Sequence, residues 1–162
     1  MHINLTAKER RLLEEQKNHE EICVQKYNDY ANLASDQQLK AIFKNNAQTE
    51  QEHLNTIDQL LNGQLPPVNQ QGQNNTAQLS QPQQSNNFRM QNNFATNQSI
   101  DRNLCSDMLM TEKYVSGAYD TAIFEFRDPQ IRQTLNHIQK EEQQHGEAIL
   151  NYMVNTGMYN PQ

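Results

Sequence analysis

The sequence predicts an all-α bundle of four helices, built from two matching helical hairpins. Three observations predict it. Apolar residues recur at alternating three- and four-residue steps through four long segments. The two halves of the chain repeat one another at an offset of 92 residues. Helix-capping and helix-stopping residues stand at the boundaries this repeat requires.

The elements follow in order. Thr6-x-x-Glu9 has the form of a capping box and opens a helix over about 6–34. Ser35 and Asp36 offer an N-cap for a second helix over 36–62, which stops near Gly63, before Pro66 and Pro67. Ser99 is the expected cap of a third helix over 99–127, and Asp128-Pro129 opens a fourth over 129–156. Each hairpin leaves only a residue or two for its turn, so its helices are antiparallel neighbours. Between the hairpins, residues 64–98 are rich in Gln, Asn, Ser and Pro, with Arg89 as the only charge. Such a stretch cannot bury enough apolar surface to offset its ordering entropy, and it is expected to be a flexible connection within one domain.

The first seam reads Leu13, Gln16, Glu20, Cys23, Tyr27, Tyr30 and Ala34; the third helix repeats it from Cys105 to Phe126. The second helix carries Leu39, Phe43, Asn46, Glu50, His53, Ile57 and Leu60, and the fourth repeats this from Ile131 to Tyr152. All four seams face a core. Each is broken near its middle by ionisable groups: Glu20, Glu50, His53, Glu112, Glu142 and His145. Glu20 precedes its turn by about as many residues as Glu50 follows it, so at 1.5 Å per residue both stand roughly 23 Å from the turn. Glu112 and Glu142 stand likewise in the second hairpin. The six groups therefore converge at one level if the hairpins pack as their repeat implies.

Four carboxylates cannot be buried together as anions without compensating charge, and two divalent cations supply it. Residues at i and i+3 share a helix face, so the Glu and His of one Glu-x-x-His motif can bind one ion. With 5 histidines and 12 glutamates in the chain, chance gives roughly 0.4 such motifs. Two occur at matched places, each with a glutamate 30 residues upstream. One Glu from each of two helices and a Glu-x-x-His from each of two others is the ligand set of ferritin-like di-iron and di-manganese proteins. Two iron or manganese ions are thus the expected cofactors, since oxygen and imidazole ligands suit both.

The remaining candidates are weaker. Tyr27 and Tyr119 lie one heptad from Glu20 and Glu112; they could hydrogen-bond a ligand carboxylate or act as redox groups, but bundle cores often hold tyrosine and core packing is the preferred reading. Met108, Met110 and Met153 are expected to fill the core. His2, His19 and His137 have no Glu at i−3 and are expected to lie off the site. Cys23 and Cys105 form no C-x-x-C pair and are expected to be free, partly buried thiols. A net charge of −6 and the lack of a basic patch argue against nucleic acid as the main partner. No apolar run approaches the roughly 20 residues that span a bilayer, and the N-terminal MHINLTAKERR has no apolar core of a secretory signal. There is no Ser/His/Asp arrangement and no phosphate-binding glycine loop.

The segments LTAKERRLLEEQKNHEEICVQKYNDYA, LNHIQKEEQQHGEAILNYM and NTGMY resemble the spore coat F family of endospore-forming bacteria. The resemblance covers both hairpins, and the Gln/Asn-rich connection is the variable part. It departs from the family's Gly-Trp-Tyr-like ending at Gly157-Met158-Tyr159. The resemblance implies a ferritin-like fold, synthesis in the mother cell, deposition in the spore coat, and other coat proteins as partners. Self-association or cross-linking through the glutamines of the connection is the accompanying expectation. The helix motifs also resemble those of rubrerythrins and manganese catalases, so a peroxide-handling oxidoreductase is the alternative function. A rubrerythrin iron–sulfur module is excluded, because two cysteines cannot supply four thiolates.

Overall fold

The computed structural model describes residues 3–66 and 91–161. Four helices account for most of them: α1 (Ala7–Leu33), α2 (Gln37–Leu61), α3 (Gln91–Glu125) and α4 (Pro129–Asn155). α1 packs along α2 and α3 along α4, and the two hairpins meet through α1 against α3 and α2 against α4. The result is an all-α four-helix bundle.

The caps form as their sequences dictate. Glu9 N–H donates to Thr6 Oγ1 at 3.2 Å while Thr6 N–H donates to Glu9 Oε2 at 2.8 Å, a complete capping box. Asp36 accepts from the Gln38 and Leu39 amides, and Asp128 accepts from the Gln130 amide just after Pro129 enters the first turn. Gly63 and Gly157, at φ 78° and 71°, terminate their helices in the left-handed conformation that only glycine adopts cheaply.

One boundary differs from expectation. α3 begins at Gln91 rather than at Ser99, so Ser99 is a helical residue and caps nothing. From Gln91 to Ser116 the chain holds no Gly or Pro, and Gln and Asn cost only a few tenths of a kcal/mol each in a helix. A polar composition was enough to suggest a loop but not enough to stop a helix. The rest of the expected flexible connection, residues 67–90, lies outside the described residues.

The seams close over the core as their spacing requires. Every seam residue is buried except Tyr30, which is half-buried at the α1–α3 edge and donates its hydroxyl to Asp107 Oδ2 at 2.7 Å. The ionisable layer splits the core in two. Leu13, Leu60, Phe126 and Leu135 pack at one end, and Leu39, Phe43, Met108 and Tyr152 at the other. Cys23 and Cys105 are free and fully buried. Met108 and Met153 fill the core, but Met110 does not: it is 66% exposed, two residues past Met108 and so turned away from the seam.

Candidate metal centre

All six sequence-predicted groups meet in the layer between the two apolar clusters. Glu20, Glu50, His53, Glu112, Glu142 and His145 are each at most 5% exposed. Ligand atoms of Glu20, Glu50, His53 and Glu142 lie within 4.8 Å of one another, as do those of Glu50, Glu112, Glu142 and His145. Glu50 and Glu142, from α2 and α4, belong to both groups; Glu20 and Glu112, from α1 and α3, each belong to one. His53 Nδ1 lies 3.1 Å from Glu50 and 3.0 Å from Glu142, and His145 Nδ1 lies 3.3 Å from Glu50.

The glutamates are held from behind by the tyrosines of the opposite hairpin. Tyr27 donates its hydroxyl to Glu112 Oε1, and Tyr119 donates to Glu20 Oε1. These two bonds map onto each other under the 92-residue repeat. Asn46 Nδ2 adds a 3.1 Å bond to the Tyr27 hydroxyl. Its counterpart is Ile138, so Tyr119 receives no such bond from that position.

Burial and mutual repulsion divide the carboxylates. Burial pushes Glu20 up to about 8, helped by Glu142 and Glu50 and opposed by His53. Burial likewise pushes Glu112 up to about 9 against the pull of His145. For Glu50 and Glu142 burial also works upward, but the two histidines beside them outweigh it and hold them below the ordinary range. The histidines rise well above their ordinary value: burial opposes the charge, and the surrounding carboxylates overcome it. At neutral pH the layer then holds two protonated glutamates, two carboxylates and two imidazolium rings, which sum to zero. Four carboxylates, two neutral imidazoles and two divalent cations sum to zero as well.

The donor set fits such ions on another count. Glu20 Oε2, Glu50 Oε1, Glu112 Oε2, both Glu142 oxygens and His145 Nδ1 are buried without a hydrogen-bond partner. Native cores rarely leave buried polar atoms so, and here they converge on one space. Oxygens and imidazole nitrogens are the donors iron and manganese take.

Two further carboxylates complete the frame: Asp101, which sequence reasoning passed over, and Glu9, which it read only as half of a capping box. Asp101, 3% exposed, accepts the Ser35 and Asp36 amides at 2.7 and 3.0 Å, tying α3 to the α1–α2 turn. Glu9, 4% exposed, accepts the Arg127 amide at 3.2 Å, tying α1 to the α3–α4 turn. Glu9 and Asp101 are 92 residues apart, as are Ser35 and Arg127, so the repeat itself held the signal. A third is Glu141, whose Oε2 lies 2.9 Å from His53 Nε2. His19 lies off the site as expected, packed edge-on against Tyr114. His137 also lies outside the six, but its Nε2 approaches Glu141 Oε1 at 3.5 Å. His2 lies outside the described residues.

Fold and site together define a class: a four-helix bundle with a carboxylate–histidine layer buried at its centre. Residues 100–162, which contain most of α3 and all of α4, match the family model of the Coat F domain. That match supports a spore coat F family protein. Neither a curated protein nor a solved structure matches the chain. No helix among the described residues is long and apolar enough to cross a membrane.

Proposed function

We propose that this chain is a structural protein of the spore coat whose ferritin-like bundle holds a two-metal carboxylate centre. The Coat F match supports the coat setting and other coat proteins as its partners. The observation that carries the metal reading is the convergence of six buried groups, from all four helices, on unsatisfied oxygen and nitrogen atoms. Glu20, Glu50, His53 and Glu142 would hold one ion, and Glu50, Glu112, Glu142 and His145 the other. Glu50 and Glu142 would serve both. Iron or manganese so held would supply redox chemistry and would tie the four helices together at mid-height.

The chain's own residues orient and shield. Tyr27 and Tyr119 fix the carboxylate planes of Glu112 and Glu20 by hydrogen bonds from the opposite hairpin. Leu13, Ile57 and Leu135 on one side, and Phe43, Met108 and Ile149 on the other, exclude water. This enclosure favours structural cross-linking over the alternative, a peroxide-handling oxidoreductase. Two clefts, of about 300 and 440 Å³, sit by the helix turns at opposite ends of the bundle, away from the six groups.

Elemental analysis of protein purified without chelator tests the reading. About two manganese or iron ions per chain are expected. No metal, before or after anaerobic reconstitution, overturns the centre and leaves only the structural role.

A further inference from the structure

Resting on the two-metal reading, we infer that the two ion positions are unequal, and that Glu141 makes them so by positioning His53. The two histidines present the same atom to the cluster. His53 Nδ1 faces Glu142, Glu50 and Glu20 at 3.0, 3.1 and 3.6 Å. His145 Nδ1 faces Glu50, Glu112 and Glu142 at 3.3, 3.6 and 3.8 Å. They differ at the other nitrogen. His53 Nε2 lies 2.9 Å from Glu141 Oε2.

An imidazole that donates Nε2–H to a carboxylate must offer the lone pair of Nδ1 to a cation. The carboxylate sets the tautomer, holds the ring plane and makes Nδ1 a stronger donor. Glu141 is placed for this because it precedes Glu142 on α4 and crosses to the histidine of α2.

The repeat shows what the other half lacks. The residue preceding Glu50 is Thr49, and its hydroxyl donates to the Asn45 carbonyl at 3.4 Å. Residue 49 therefore supplies no carboxylate to His145. That ring is set by packing, edge-on to Tyr27 with centroids 6.0 Å apart, and stacked on His53 at 5.8 Å. The position formed by Glu20, Glu50, His53 and Glu142 is the tighter one, and it fills first.

Calorimetric titration of metal-free protein with Mn²⁺, alongside the manganese electron paramagnetic resonance signal, tests the inference. Wild type is expected to bind two ions with separable affinities, showing an isolated-ion spectrum at one equivalent and a coupled-pair spectrum at two. Glu141→Ala should weaken the tighter event about ten- to a hundred-fold and leave the weaker event where it was. Glu141→Gln, which still accepts the Nε2 proton, should recover part of the loss. Thr49→Glu, which puts a carboxylate at the matching place, should strengthen the weaker event and draw the two affinities together. It tests the inference even if Glu141→Ala folds poorly. A role as a surface ion pair would alter metal-free melting slightly and move neither affinity. Two equal affinities in wild type, or variants that shift both events alike or not at all, would overturn the inference and leave the two-metal centre standing. Absence of any binding by wild type would overturn both.

Discussion

The two tyrosines at the centre show how much a single hydroxyl carries in a buried layer. Tyr27 bonds both Glu112 and Asn46, whereas Tyr119 bonds Glu20 alone among the described side chains. Removing a buried partner costs the desolvation of whatever is left unpaired, about 1–3 kcal/mol. Tyr27→Phe should therefore destabilise metal-free protein by about that amount, and by more than Tyr119→Phe, as read by chemical denaturation. Glu9 gives a pH prediction away from the centre. Burial works to raise it, but hydrogen bonds from the Thr6 amide and hydroxyl and from the Arg127 amide and guanidinium outweigh burial and hold it at about 2, below its ordinary 4.5. A group depressed in the folded state stabilises above its unfolded value, and that stabilisation is lost as pH falls through the folded one. Glu9→Gln should cost about 1–3 kcal/mol at neutral pH. The gap between wild type and variant should close as pH falls from about 4.5 to 2. A gap that stays constant across that window in thermal melts would show that Glu9 does not act through its charge.

At the scale of the elements, the turns are where the hairpins are fastened to one another. Asp101 takes two amides of the α1–α2 turn and Glu9 takes one of the α3–α4 turn. Asp101→Ala leaves the Ser35 and Asp36 amides without their acceptor and should lower stability by about 1–3 kcal/mol. Asp101→Asn, which keeps one acceptor oxygen, should lose less. Equal, negligible losses in both variants by urea denaturation would show that the clamp is incidental. The elements themselves were largely legible in the sequence. Thr6, Asp36 and Asp128 announced their helices because an N-cap is a local interaction. The seams were legible because heptad spacing maps directly onto one face. The start of α3 was not, since Gln and Asn neither bury nor break and leave no mark of their own. Tyr30 fell on the wrong side of the surface because spacing gives a face but not its edges; Met110, two residues from Met108, was off the seam by its spacing and was read into the core on residue type alone. The six central groups were legible because the repeat doubled every signal. Glu141 was not: beside Glu142 it reads as one more solvated charge, and only the packing of α2 against α4 brings His53 to it.

For the whole molecule, the pseudo-two-fold relation between the hairpins is both the architecture and the logic of the site. It sets four glutamates and two histidines at one level, and the metal-free layer is neutral because Glu20 and Glu112 sit at about 8 and 9 and so keep their protons at pH 7. That makes Glu20 and Glu112 the right pair to change. Gln is close to a protonated Glu in shape and can still accept the tyrosine hydroxyl, so Glu20→Gln/Glu112→Gln should leave the metal-free melting transition nearly where it was. The variant cannot supply those two charges to metal. Differential scanning calorimetry of wild type and this double variant, each without metal and with saturating Mn²⁺ or Fe²⁺, is the most direct test. The account predicts a metal-induced stabilisation in wild type, about 2.7 kcal/mol per ion at a hundred times its dissociation constant, and its loss in the variant. Equal metal-induced shifts in the two proteins would contradict the assignment of the buried layer as a metal centre.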